Sequence, residues 1–317
     1  MTIALPSIAY RQARRSLVAD LPIHVPVMLD EVLALLLLRP GSVVVDGTVG
    51  LAGHAMEFAK RIAPGGTLVG FDWDQKMLDR ARARLSEVNS VRLVLVNADY
   101  RTIAYELRSL ELQADGILLD LGLNSAQIED SERGISFQTD GPLDMRMSQD
   151  TGEPASALLN RASVDEIEDI LFNLGDEKWA RAIARQIVAR RKDKPLRTAQ
   201  DLVDCVMAAV PPGARDKRIH PATRTFQGVR IAINRELDHL DEAIASAASA
   251  LAPGGVLVVL SYHSGEDRAA KVAIRSLDPA GFEEITRKPQ LPSAEEVRRN
   301  PRSRSVKLRA VRRLPKE

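Results

Sequence analysis

The sequence predicts an α/β protein, an open and mostly parallel sheet flanked by helices and interrupted by a small helical insertion. Three observations predict it. Aliphatic, β-branched runs of strand length alternate with helix-length segments from Val43 onward. Four of those runs end in or near a carboxylate, at Asp46, Asp72, Asp99 and Asp120. The alternation then lapses between residues 126 and 218 and resumes afterwards.

In chain order, His24-Val-Pro-Val-Met28 precedes an apolar helix over 29–38, which Arg39-Pro-Gly41 ends. Val43, Val44 and Val45 suit a buried strand, because branching at Cβ favours extended backbone. Asp46 stands where that strand ends. Gly47, Gly50 and Gly53 then punctuate a tight turn, and 55–62 reads as the helix after it. A strand, a small-residue loop and a helix N-terminus make a cradle for a nucleotide-like ligand. Any βα crossover can need a glycine turn, so the downstream carboxylates decide the matter. A second strand over 67–71 ends at Asp72-Trp-Asp74, and 77–85 follows as a helix. A third strand over 91–96 leads to Asn97-Ala-Asp99, a helix to 101–110, and a fourth strand over 116–119 to Asp120. Each acid alone can be a helix N-cap. Their repetition along the edge where parallel strands end favours a cofactor site.

Residues 126–150 are polar and turn-rich, too long for an ordinary connection, and so read as a functional loop. Helices follow over 155–159, which is short, and over 164–172, 177–190 and 198–209, these three with apolar residues at helical spacing. One long helix is expected over 229–250. Then come an apolar strand over 256–260, Ser261-Tyr-His-Ser-Gly-Glu-Asp-Arg268 at its end, and two last strands over 282–286 and 305–311, joined by a basic, Pro-containing loop and paired antiparallel. Seven strands match a methyltransferase sheet better than a six-strand dinucleotide fold. The division reads as 24–140 for the first part of the core, 141–218 for an inserted helical substrate-recognition domain, and 219–317 for the rest of the core with a basic C-terminal segment.

Composition sets the outer limits. With 317 residues, 45% of them hydrophobic and 4% aromatic, the core must be mainly aliphatic. The single cysteine, Cys205, excludes an intrachain disulfide, and no spacing suggests a metal site. Arg11, Arg14 and Arg15 lack the apolar run of a signal peptide, and the longest apolar run is too short to cross a bilayer, so a cytoplasmic protein with no membrane partner is expected. Net charge is only +1, yet residues 286–317 hold 11 Lys or Arg against 3 Asp or Glu, and 181–197 is also basic. Two such segments line a groove for a polyanion or form solvated faces.

The loop is not a clean GxGxxG, since from Gly47 it runs G-T-V-G-L-A-G. A nicotinamide cofactor, and with it an oxidoreductase, is therefore the second reading. S-adenosylmethionine fits the spaced acids better: Asp72 for the ribose, Asp99 near the adenine amino group, and Asp46 near the methionine amine. His263, at a strand end on the ligand edge, either binds substrate and shuttles a proton or hydrogen-bonds its loop, and His54 has the same two readings.

Four strings are more specific than any sheet protein requires: Arg133-Gly-Ile-Ser-Phe137, Gly141-Pro-Leu-Asp-Met-Arg-Met147, His220-Pro-Ala-Thr-Arg-Thr-Phe-Gln227 and His263-Ser-Gly-Glu-Asp-Arg268. With them the chain resembles, over nearly its whole length, the bacterial family of small-subunit ribosomal RNA methyltransferases that act on the N4 amino group of a decoding-centre cytidine, position 1402 of 16S rRNA. The resemblance implies a class I methyltransferase sheet with an inserted helical domain, S-adenosylmethionine as cofactor, and 16S rRNA within the small ribosomal subunit or a late precursor as partner. Carried over position by position, it implies cofactor contacts at Asp46, Gly50, Ala52, Gly53, His54, Asp72, Asp99, Asp120 and Gln127.

The chain departs from the family pattern at several of these places. Ala52 stands in a usual glycine pair, Ala55 replaces a serine, Trp73 an arginine, Asn124 the first of two serines, and Gly265 a leucine. The methyl of Ala52 is compatible with the loop if φ there is negative. For the chemistry, a cytosine amino nitrogen is a poor nucleophile, because its lone pair is delocalised into the ring. Asp120 is the leading candidate to accept its N–H and favour attack, with Asn124 as a second acceptor and His263 as a third catalytic candidate. Arg133, Arg146, Arg224 and Arg230 are candidate RNA contacts, and Arg298, Arg299, Arg302 and Arg304 add nonspecific affinity. An RNA-binding protein that keeps the fold with weakened catalysis is the remaining reading.

Overall fold

The computed structural model describes residues 25–123, 134–137, 141–148, 152–216 and 218–315. It divides into two compact units, one formed by residues up to Gly122 and from His239 onward, the other by Leu123–Asp238.

The first unit is built on seven strands: β1 (Val43–Asp46), β2 (Thr67–Asp72), β3 (Arg92–Asn97), β4 (Ala114–Asp120), β5 (Leu251–Ser261), β6 (Phe282–Glu284) and β7 (Lys307–Arg313). Their order is β3-β2-β1-β4-β5-β7-β6. β1 to β5 are parallel, and β7 runs antiparallel to both β5 and β6. This is the expected class I methyltransferase sheet. Its central strands are buried on both faces, as parallel strands covered by helices must be. Before β1 lies α1 (Leu29–Leu36). The crossovers carry α2 (Gly53–Ile62), α3 (Gln75–Leu85) and α4 (Ile103–Ser109). Val44, Phe58, Ile62, Leu68, Leu118 and Val258 belong to the aliphatic core on one face.

The second unit is helical. It holds α5 (Ala155–Arg161), α6 (Val164–Asn173), α7 (Ala180–Asp193), α8 (Ala199–Ala209) and α9 (Thr223–Asn234). The sequence marks two of the starts. Ser163 and Glu166 form a reciprocal capping box at α6, and Thr198 and Asp201 form another at α8. The expected limits of 141–218 are too narrow, because Phe226 and Val229 of α9 are buried in the same core as Leu159, Ile167, Ile183 and Val206.

Two further expectations need correction. The long helix over 229–250 is two helices, α9 and α10 (Leu240–Ser249). Arg235 takes φ 52° and closes α9 by donating its N–H to the carbonyls of Ile231 and Ala232, and His239 takes φ 53° before α10. Apolar spacing continues across the break because each piece has a buried face of its own. After β5 comes α11 (Ser264–Ser276). The connection from β6 to β7, expected as a loop, contains α12 (Ala294–Arg299), with Ser293 accepting at 3.0 Å from the N–H of Glu296.

Within the helical unit, Gly175 and Gly228 let two backbones meet. A Cβ on Gly175 would lie 2.5 Å from the Arg224 carbonyl oxygen and 2.7 Å from that of Leu171. Gly175→Ala should therefore cost about 1–3 kcal/mol, the usual range for overpacking, read as a lower denaturation midpoint. Gly213→Ala, where a Cβ meets nothing within 4 Å, should leave it unchanged.

Candidate active site

The loop after β1 is stitched to both neighbouring strands. Gly47 N–H donates to the Leu118 carbonyl (2.9 Å) and Val49 N–H to that of Phe71 (2.8 Å). Gly50 N–H donates to Asp72 Oδ2 (3.0 Å). A Cβ on Gly47 would lie 2.5 Å from Leu119 Cδ2 and 3.2 Å from the Leu118 carbonyl oxygen, so a side chain there would push the Leu119 side chain aside. Gly50 (φ 47°) and Ala52 (φ 58°) are both left-handed. The condition of a negative φ at Ala52 is thus not met, and this chain places a methyl where a left-handed residue is needed. Ala52 is also the N-cap of α2 and offers no side-chain oxygen there. Asp46 serves instead, accepting hydrogen bonds from the N–H groups of Thr48 and Ala55.

Three of the four strand-end acids converge. Asp46 is 2% exposed, and burial lifts its carboxyl to about 7. The Thr48 and Ala55 N–H groups oppose that rise, and the negative charges of Asp120 and Asp72 add to it. Asp72 accepts from Gly50 N–H and, through Oδ1, from Asp74 N–H (2.9 Å). Asp120 N–H donates to Thr48 Oγ1 (2.9 Å), and Asp120 Oδ1 accepts from the Tyr262 hydroxyl (2.8 Å). His54 is buried and its pKa falls to about 4, chiefly by desolvation, so the ring is neutral. Its Nε2–H donates to the Val27 carbonyl (3.0 Å), which leaves a lone pair on Nδ1, 3.7 Å from Asp120 Oδ2.

Asp99 takes a different part. Its carboxylate accepts from Arg101 N–H (2.8 Å) and pairs with the Arg101 guanidinium, capping a short 3₁₀ turn over Tyr100–Thr102. In the structure it is the N-cap of that turn and one half of an ion pair. Arg101 also lies over the rings of Tyr100 (5.4 Å) and Trp73 (6.0 Å). His263 proves to be the N-cap of α11. Its Nδ1 accepts weakly from Glu266 N–H (3.4 Å), while Glu266 Oε2 accepts from the N–H groups of Tyr262 (2.7 Å) and His263 (3.3 Å). Gly265 lies inside the first turn of that helix.

The arginines chosen for RNA are largely committed. Arg146 forms a two-pronged pair with Asp144 (2.7 and 2.9 Å), and Arg230 another with Glu236 (2.9 and 2.8 Å). Arg224 donates to the Asp176 carbonyl (3.2 Å). Arg298, Arg302 and Arg304 are exposed, and Arg299 reaches Glu296 (3.2 Å). Asn124, Gln127 and Arg133 lie outside the described residues. Thr48 and Tyr262 were missed by sequence reasoning. Thr48 sits inside the glycine loop and Tyr262 beside His263, so position alone could have flagged both.

The MraW methylase family model matches residues 22–314. The chain is 44% identical over 311 residues to the ribosomal RNA small subunit methyltransferase H of Pelobacter propionicus, covering 92% of this chain and 98% of that one. It is 43% identical to the protein of the same name from Heliobacterium modesticaldum, over the same shares. Among solved structures, an rRNA methylase from Streptococcus thermophilus aligns with a TM-score of 0.38 at 12% identity, over 90% of this chain and 92% of that one.

Two outcomes follow from the loop. Ala52→Gly should raise stability by about 0.5–1 kcal/mol, the left-handed strain relieved less the entropy of glycine, read as a higher denaturation midpoint at constant slope. The second concerns pH. The folded Asp46 carboxyl titrates near 7 against 3.8 unperturbed, so its contribution is intact below about pH 4 and lost as pH rises to 7. His54 works oppositely in nearly the same window, since its depressed pKa costs stability as pH falls from 6.5 to about 4. Asp46→Asn in the ligand-free protein should therefore melt higher than the parent at pH 8, and the difference should shrink toward pH 4. An equal difference at both values would contradict a buried, titrating Asp46.

Proposed function

We propose, from the premise that this chain belongs to the MraW methylase family, that it transfers a methyl group from S-adenosylmethionine to the N4 amino group of cytidine 1402 in 16S rRNA of the small ribosomal subunit or a late precursor. The observation that carries the reading is Asp120, held at the end of β4 by Thr48 of the glycine-rich loop and by Tyr262. The relatives named above are ribosomal RNA small subunit methyltransferases over the full length of the match. No helix among the described residues is long and apolar enough to cross a membrane, and the cytoplasm, where ribosomal subunits are assembled, is the compartment the reading requires.

The residues present fit the cofactor. Asp46, Asp72 and Asp120 gather negative charge where a ligand with an ammonium and a sulfonium brings positive charge, which answers the burial cost at Asp46. Asp72, at the end of β2 and bonded to the Gly50 N–H of the loop, is the acid assigned to the ribose hydroxyls. Asp46, Gly50, Ala52, Gly53, His54, Asp72 and Asp120 would hold it, with Gln127 proposed from the sequence. When bound, S-adenosylmethionine supplies a methyl group on a positively charged sulfur that leaves with the bonding pair.

The chain's own contribution is alignment and dehydration. Asp120 accepts an N–H of the cytosine amine, which turns the nitrogen lone pair toward the methyl group. With the cofactor bound, the nitrogen would gain positive charge as it took the methyl group, and its proton could leave late, so a strong base is unnecessary. The helical unit is proposed to select the RNA, and the exposed arginines at 298, 302 and 304 to supply phosphate contacts that weaken with salt.

The test is a single-turnover methylation assay on small subunits lacking the modification, with the modified base mapped and free 16S rRNA run in parallel. Asp120→Asn at saturating cofactor should slow methylation by roughly 100-fold or more. Full activity in that variant would remove Asp120 from the chemistry. RNA binding with no methylation by the parent chain would favour the RNA-binding reading instead.

A further inference from the structure

We propose that Tyr262 is a positioning residue for the methyl transfer: its phenol fixes the plane of the Asp120 carboxylate and so aims the lone pairs that receive the amine. This rests on the reading of Asp120 given above and deepens it by assigning a second residue, from a neighbouring strand end, to the same step.

The geometry begins with register. β4 and β5 are parallel neighbours, and Asp120 pairs with Leu260. Tyr262, two positions further on, therefore emerges beside Asp120 just beyond the end of β5. Its hydroxyl donates to Asp120 Oδ1 at 2.8 Å. The torsion that turns an aspartate carboxylate is broad and two-fold, with no staggered well to hold it. A hydrogen bond to one oxygen is what selects an orientation. The Asp120 backbone is fixed separately, through its N–H to Thr48 Oγ1 at 2.9 Å. His54 cannot do the same work from the other side. Its Nδ1 is 3.7 Å from Oδ2 and carries a lone pair, because its proton is on the nitrogen that serves the Val27 carbonyl.

Tyr262 is itself held. Its N–H donates to Oε2 of Glu266 at 2.7 Å, and Glu266 is only 2% exposed. Its ring packs on the aliphatic core under the sheet. Gly122, at φ +86°, passes alongside, where a Cβ would lie 3.7 Å from the ring. Burial, with the charges of Asp120 and Glu266 and against that of Arg302, keeps the phenol pKa well above 10. The hydroxyl is therefore a donor at every working pH. It keeps its own proton and takes no part in the proton balance of the reaction.

Tyr262→Phe removes one oxygen and keeps the packing. The measurement pairs the single-turnover rate on unmodified small subunits at saturating S-adenosylmethionine with the cofactor Kd by calorimetry and the melting temperature. Expected is a rate lower by roughly 10- to 100-fold, the worth of one hydrogen bond to a charged group. Cofactor Kd should stay within about two-fold and the melting temperature within a few degrees. In the Asp120→Asn background, Tyr262→Phe should add little further loss, because the two act as a unit. An unchanged rate in Tyr262→Phe overturns the proposal. So does a loss confined to cofactor affinity or melting temperature, which would make the bond a tie between strands. Full activity of Asp120→Asn alone would instead defeat the underlying reading of Asp120.

Discussion

Like charge at the end of a parallel sheet is the constraint on which the rest of this site depends. The charges of Asp72 and Asp120 act on Asp46 from the adjacent strand ends, and burial has already lifted Asp46 to about 7. Such acids persist only if backbone N–H groups turn toward them. The loop after β1 does this. Thr48 and Ala55 serve Asp46, and Gly50 serves Asp72. Aiming consecutive N–H groups in those directions requires left-handed residues, which are found at Gly50 and Ala52. The loop's shape is thus a consequence of the charges it must satisfy. A cationic ligand at the same edge relieves what the backbone only partly offsets.

A second layer holds the entry to that loop. Residues 25–28 form a strap fixed at three points. His54 Nε2–H takes the Val27 carbonyl, the Asn300 side chain the Val25 carbonyl, and buried Glu296 the Met28 N–H. Two of these partners come from the connection between β6 and β7, more than 260 residues away in sequence. This explains why that connection folds into α12 instead of staying a loop. It also gives His54 a structural duty next to its place beside Asp120. A neutral imidazole suits both, since only one nitrogen carries a proton, and that proton is spent on the strap.

Much of the sheet was legible because its signals are local. Val43 to Val45, the apolar run before Ser261 and the repeated strand-end acids announce strands and their polarity without reference to any partner. The break at Arg235 was not legible. Its apolar spacing runs on unbroken, and a left-handed arginine carries no compositional mark. At the site, the sequence identified which acids gather but not which are already occupied. Asp99 stands at a strand end like the other three acids, and Arg101, two residues on, pairs with it. His263 caps α11 through Nδ1, with Glu266 three residues on, while its Nε2 is buried without a hydrogen bond among the described residues. Arg146 and Arg230 look available until Asp144 and Glu236 are seen across from them. Occupancy is a property of pairs, and pairs at short separation are easily overlooked when single residues are being sought.

The departure at Trp73 and the behaviour of Asp99 are connected through this logic. The resemblance puts an arginine directly after the acid at the end of β2, and this chain has a tryptophan there, 37% exposed. Asn97 fixes the backbone at this point by donating to the carbonyls of both Asp72 and Trp73 (3.1 and 3.0 Å). The indole is then met by a guanidinium from the next strand end, with Arg101 lying over it. A guanidinium therefore still lies close to this position, but it comes from residue 101, over the indole, and Asp99 balances it. An exposed aromatic plane directly after Asp72 is the new element, and its backbone carbonyl is held by the same Asn97 amide that holds that of Asp72.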